Sequence, residues 1–210
     1  MKYRILLPAL LFVSACATPN VAINPRANFS AIKRVAVLSF SGPRGDLAAD
    51  LLTQSLIARG ADVVERQRLD SVMREQSLTA SSAFDPATAK QLGKLLGVDA
   101  LFVGTVGEST PASSYIVSGS KDPIVTNVTQ VSGNNIYSEG SVMGMPNSQL
   151  LSTTANVSML SRMVDVQTGS ILWSASMSYE GFDTTSAMTA IADAFISSLE
   201  PIWPELYKVK

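Results

Sequence analysis

Two hydrophobic patterns alternate along the first half of this chain. Arg34 to Phe40 (RVAVLSF) is a run of β-branched and apolar residues, as in a strand buried on both faces, and Ser41-Gly42-Pro43 breaks it. Leu47, Leu51, Leu52, Leu56 and Ile57 then recur at helical spacing, with Gly60 as a natural stop. Ala61 to Glu65 predicts a short second strand, and Leu69, Val72 and Met73 the stripe of a second short helix. Asp85-Pro86 predicts the cap and first position of a third helix, running to Leu96 before Gly97. Ala100 to Val106 (ALFVGTV) returns to the buried-strand pattern. Strand and helix in alternation predict an α/β fold, a sheet flanked by helices.

The second half changes character. From Pro123 to Ser161 the only charged residue is Glu139, and no helical period appears. With Ser113 to Ser118 before it, this stretch predicts a low-charge, β-rich insertion at about 113–160. Ala155 to Val166 and Ser170 to Tyr179 flank Thr168-Gly169, the turn of a hairpin. Thr184 to Leu199 is a last amphipathic helix with Met188, Ile191, Ala192, Phe195, Ile196 and Leu199 on its apolar face. Pro201 and Pro204 end it, and Ile202, Trp203, Leu206 and Tyr207 form a short apolar tail.

The N-terminus follows neither pattern. Lys2 and Arg4 precede an apolar run, Ile5 to Val13, that is far shorter than the roughly 20 residues a membrane-spanning helix needs. It fits the core of a secretory signal peptide over residues 1–15. Val13-Ser14-Ala15-Cys16 closes it and resembles the bacterial lipobox. That resemblance implies cleavage before Cys16 and an acyl lipid, palmitate among its chains, on this single cysteine. Ala17 stands where an Asp would favour inner-membrane retention, so the same resemblance implies the outer membrane. Residues 16–30, with two prolines and three asparagines between Thr18 and Ser30, read as a lipidated tether of up to ~40 Å or as an ordered arm wrapping a neighbouring subunit. The remainder, 31–210, reads as one domain.

Charge and composition then remove function classes. Without Lys2 and Arg4 the 16 basic residues fall to 14 against 17 acidic ones, which is no footprint for nucleic acid. The chain has no histidine, so every Ser/His or Cys/His catalytic arrangement is excluded. One cysteine allows no internal disulfide. Asp46 and Asp50 lie one helical turn apart, and Asp62 and Glu65 flank a strand; such pairs could do acid–base work or hold a cation, but an exposed polar face explains them better. No cofactor, no metal and no enzymatic activity are expected.

Three segments carry a family resemblance. They are Arg34 to Leu38 with the helix after it, Val63 to Gln76 (VVERQRLDSVMREQ) continuing through Ala89 to Val106 (AKQLGKLLGVDALFVGTV), and Arg162 to Met177 (RMVDVQTGSILWSASM). In this order, with the lipobox, they resemble the CsgG family of outer-membrane lipoproteins, named for the curli secretion channel. The resemblance implies a periplasmic α/β domain similar to the N-terminal domain of TolB, a mixed sheet flanked by helices, with a tendency to assemble as a homo-oligomeric ring. It implies a structural or assembly role in a secretion or surface-appendage apparatus such as curli assembly. A monomeric accessory lipoprotein that regulates a periplasmic partner, such as a cell-wall synthase, is the alternative. The curli channel builds its barrel from two hairpins per subunit. Here Ser170 to Gly181 runs almost directly into the helix at Thr184, leaving no room for a second, and Ile124 to Val131 alternates poorly for a lipid-facing strand, so the insertion reads either as a membrane-inserted hairpin or as a periplasmic insertion mediating subunit contacts.

Overall fold

The structure, a computed structural model, describes residues 18–65, 71, 74–75, 86–119, 126–132, 135–139 and 148–207. Its body is a mixed sheet of six strands in the order β1-β10-β9-β4-β2-β3. These are β1 (Asn20–Ile23), β2 (Arg34–Val37), β3 (Asp62–Val63), β4 (Ala100–Thr110), β9 (Ala155–Asp165) and β10 (Ile171–Gly181). Strands β3 and β4 run parallel to β2; the β4–β9, β9–β10 and β1–β10 pairings are antiparallel. Helices α1 (Gly45–Ala58), α2 (Pro86–Leu96) and α3 (Thr184–Leu199) complete the layers.

Alternation along the central strands builds two cores. Val35, Val37, Phe102, Met159, Met163 and Trp173 pack under α1 and α3, while Ala36, Leu38, Leu101, Val103 and Val164 pack with Leu92 and Leu96 of α2. A strand covered on both faces has no reason to alternate apolar with polar, which is why RVAVLSF reads as a continuous run. Both tryptophans sit in the first core, Trp173 edge-on to Phe102 and Phe195.

Helix α3 spans the range its stripe predicts, and all six residues of that stripe are buried. Helix α1 departs from expectation. Its buried face is Ala48, Ala49, Leu52, Ser55 and Leu56, whereas Ile57 is 57% exposed. Ala48 and Ala49 lie on the buried face of α1, and Ile57 lies off it. Arg59, just past the helix, ties α1 to α3: it donates to Ser55 Oγ (2.6 Å), Asp193 (3.2 Å), Glu200 (3.3 Å) and Ser197 (3.1 Å). The short helix expected around Leu69, Val72 and Met73 lies outside the described residues, as does Asp85; Pro86 opens α2 as expected.

Two expectations are corrected. Much of the segment read as a tether, 16–30, is part of the fold: β1 pairs with the edge of β10, a 3-10 turn at Phe29–Ala31 follows, and Phe29 and Ile32 are buried. It lies along the edge of its own sheet. The β-rich insertion is also narrower than 113–160. Strands β5 (Ser114–Gly119), β6 (Thr126–Ser132), β7 (Asn135–Glu139) and β8 (Ser148–Ser152) form a separate antiparallel sheet in the order β7-β6-β5-β8. Residues from Ala155 onward belong to β9, because pairing with both β4 and β10 claims the whole strand.

Candidate functional site

The features bearing on attachment converge on one end of the main sheet. The β1–β10 register pairs Asn20 with Ser176 and Ile23 with Trp173. The chain preceding Asn20 is therefore directed toward the Tyr179–Gly181 end of β10. Cys16, the predicted lipidation residue, lies outside the described residues, but it is four positions before Asn20 and so within about 14 Å of it. Ala155 and Gly181 are paired at this same end, as are Thr110 and Asn156. The second sheet leaves and returns here, its two links clamped where Ser113 N–H donates to Thr153 Oγ1 (3.0 Å) and Thr153 N–H to Ser113 O (2.7 Å).

Phe182 marks this end. It is 89% exposed, the most exposed large apolar residue among those described. It immediately precedes Asp183, the N-cap of α3, which closes a capping box: Ser186 N–H donates to Asp183 Oδ1 (2.7 Å) and Asp183 N–H to Ser186 Oγ (3.1 Å). An apolar residue before the cap commonly packs on the fourth helical residue. That residue here is Ala187, fully buried, and a Cβ on Gly181 would meet it at 2.9 Å. A side chain at 181 would therefore collide with the helix, and the residue that follows, Phe182, stands exposed. The Ser186 backbone N–H holds the Asp183 carboxyl below the usual carboxylate range; the Ser186 hydroxyl, the Thr185 N–H and the Arg44 charge add to this, against partial desolvation.

The carboxylates considered from sequence are dispersed into structural surroundings. Asp46 lies in the first turn of α1, where its charge suits the helix dipole. Asp62 accepts from Arg34 Nε at 2.9 Å, between neighbouring strands β2 and β3. Asp50 and Glu65 line a groove of about 440 Å³ between α1 and the sheet edge, with Thr53, Gln54, Ile57, Val63 and Val64. Among the described residues no group of three or more Asp, Glu, His or Cys is placed to hold a metal ion, and no helix is long and apolar enough to cross a membrane.

Sequence reasoning missed the end-of-sheet cluster. The only signal for β1 was Val21-Ala22-Ile23 between two prolines, and nothing in composition marks Phe182 as exposed.

The family model for the curli production assembly/transport component CsgG matches residues 16–110. The match opens at Cys16 and closes at Thr110, the last residue of β4; the segment Arg162 to Met177 lies beyond it. No curated protein matches the chain. Among solved structures, the chain is similar to the PelC dodecamer from Paraburkholderia phytofirmans, at 18% identity and a TM-score of 0.46, covering 91% of this chain and 99% of that one. It is similar to the lipoprotein GNA1162 from Neisseria meningitidis, at 16% identity and a TM-score of 0.43, covering 80% and 94%. The LpoB C-terminal domain from Salmonella enterica follows at 13% identity and a TM-score of 0.41, covering 71% and 83%. Over residues 16–110 this chain is therefore similar to the CsgG family.

Proposed function

We propose that this protein is a lipoprotein, acylated on Cys16 and held at the periplasmic face of the outer membrane, which oligomerises as an assembly component of a secretion or surface-appendage apparatus. The observation that carries the reading is the pairing of β1 with β10. With Asn20 held in the sheet, three residues separate it from Cys16 in place of the dozen read in the sequence, so the reach falls from ~40 Å to about 14 Å. A domain held that close to its anchor suits a membrane-apposed assembly. An accessory protein that must cross the periplasm to a synthase needs the longer leash.

The second sheet supports self-assembly. Strands β5 to β8 pair with one another and make at most slight contact with the main sheet and the helices among the described residues. A single sheet layer buries a face only against another layer, and a second copy supplies one. Over the described residues these strands run five to seven residues, against the roughly 9 to 11 of a membrane-spanning strand. The register also aligns Glu139 with Val128, and Val128 with Val117, an arrangement ill suited to lipid. The sheet is therefore assigned to subunit contacts.

Negative-stain imaging of the protein extracted in mild detergent tests this reading. Closed rings are expected, and they should disappear when residues 114–152 are replaced by a short flexible linker. Uniform single domains from the unaltered protein would contradict the assembly role and favour the accessory one.

A further inference from the structure

We infer that the end of the main sheet bearing Phe182 faces the membrane, and that the Phe182 ring sits in the phospholipid headgroup–acyl boundary. This rests on the proposed acylation of Cys16 and goes beyond it by fixing which surface meets lipid, and through which side chain.

Two independent observations meet at this end. The β1–β10 register directs the chain before Asn20 along β10 toward Gly181, and the leash of about 14 Å is shorter than the body is long: β10 alone, at 11 residues, extends about 35 Å. An anchor on so short a leash holds the Gly181 end against the bilayer and leaves the opposite end, with the turn Val166–Ser170, facing away. At the held end stands an aromatic side chain that is 89% exposed and that its own fold leaves uncovered. On a surface apposed to a bilayer, Phe inserts its apolar ring at the headgroup–acyl boundary.

The neighbouring charges define the contact further. Glu180 and Asp183 lie beside Phe182, Arg44 is close enough to act on the Asp183 charge, and the links at 110–113 and 153–156 carry no charge. With two acidic groups against one basic, the contact rests on the apolar ring and gains nothing from anionic headgroups. Replacing phosphatidylglycerol by phosphatidylethanolamine, or raising the salt, should leave it unchanged.

The test uses the full lipidated chain with Phe182→Trp, reconstituted into phosphatidylethanolamine–phosphatidylglycerol vesicles whose acyl chains carry bromine, a contact quencher of indole fluorescence. Trp173 and Trp203 are 0% and 1% exposed and serve as unquenched internal references. A second variant, Gln167→Trp, reports on the opposite end. The indole at 182 should lose emission to the brominated chains, and the indole at 167 none. Floating vesicles with protein attached but equal quenching at both positions, or none at 182, would overturn this inference while leaving the anchor intact. That outcome would assign Phe182 to a contact with another copy. Protein that fails to float with the vesicles would instead overturn the acylation of Cys16 and this inference with it.

Discussion

The indole N–H of Trp203 donates to the carbonyl oxygen of Ile32 across 3.1 Å, joining residues 171 positions apart in the chain. Both are buried, and Phe102 lies 6.4 Å from the Trp203 ring. The C-terminal tail thus locks the N-terminal arm into the core. Trp203→Ala should cost about 3–5 kcal/mol, the usual range for removing a large buried aromatic. Trp203→Phe keeps most of the packing but orphans the Ile32 carbonyl, at about 1–3 kcal/mol. Urea unfolding of the two variants checks both values, and an unchanged midpoint for Trp203→Ala would contradict this packing.

Gly42 and Gly97 both have positive φ, yet their surroundings differ. A Cβ at 42 would lie 2.0 Å from the Val106 carbonyl oxygen, whereas one at 97 meets nothing within 4 Å. Gly97→Ala should therefore cost about 1–2 kcal/mol, the conformational term alone. Gly42→Ala adds a backbone collision where Ser41 is hydrogen-bonded to β4, and should lower stability several-fold more. Equal losses would mean that the Ser41–Arg44 loop relaxes freely.

Arg59 holds α1 to α3 through a forked set of hydrogen bonds, and its side chain is mostly buried although Asp193 is half exposed. Allowing for solvent screening at that carboxylate, Arg59→Met should cost about 1–2 kcal/mol. Arg59→Lys should recover less than half, since an ammonium cannot reproduce the planar fork. Full recovery by Lys in chemical denaturation would reduce the network to a simple charge effect.

Asp183 supplies the pH dependence. Its carboxyl is held below the ordinary value of 3.8 in the folded chain, so folding favours the ionised form. The contribution is present above the unfolded-state value and is lost as pH falls through the lowered folded value. Asp183→Ala should depress Tm at neutral pH, and the gap to the unaltered protein should narrow as the pH drops below about 4. Asp183→Asn keeps an acceptor for the Ser186 N–H and should lose less at neutral pH. A gap that widens in acid would reverse the sign of this account.

The parts of the fold legible in the sequence are those where one face of a regular element decides its burial. Thr184–Leu199 displays its stripe in full, and the buried strands read as apolar runs because both faces are covered. Strand β1 was hidden because it is an edge: four residues with exposed or half-exposed side chains, held by backbone pairing to β10, leave no hydrophobic signature. Ile57 fits the stripe of α1 but not its buried face, which holds Ala48 and Ala49. The second sheet appeared only as missing charge, a signal that composition carries without connectivity. Cys16 remains legible from the sequence alone.

Native mass spectrometry of the protein released gently from membranes tests the central claim most directly, because one spectrum reports both the lipid and the assembly. The account predicts a closed oligomer whose subunits each begin at Cys16 and carry the added mass of an acyl anchor, with Cys16→Ser losing that mass and the membrane fraction together. Monomers that retain residues 1–15, or that begin at Cys16 without lipid, would contradict it.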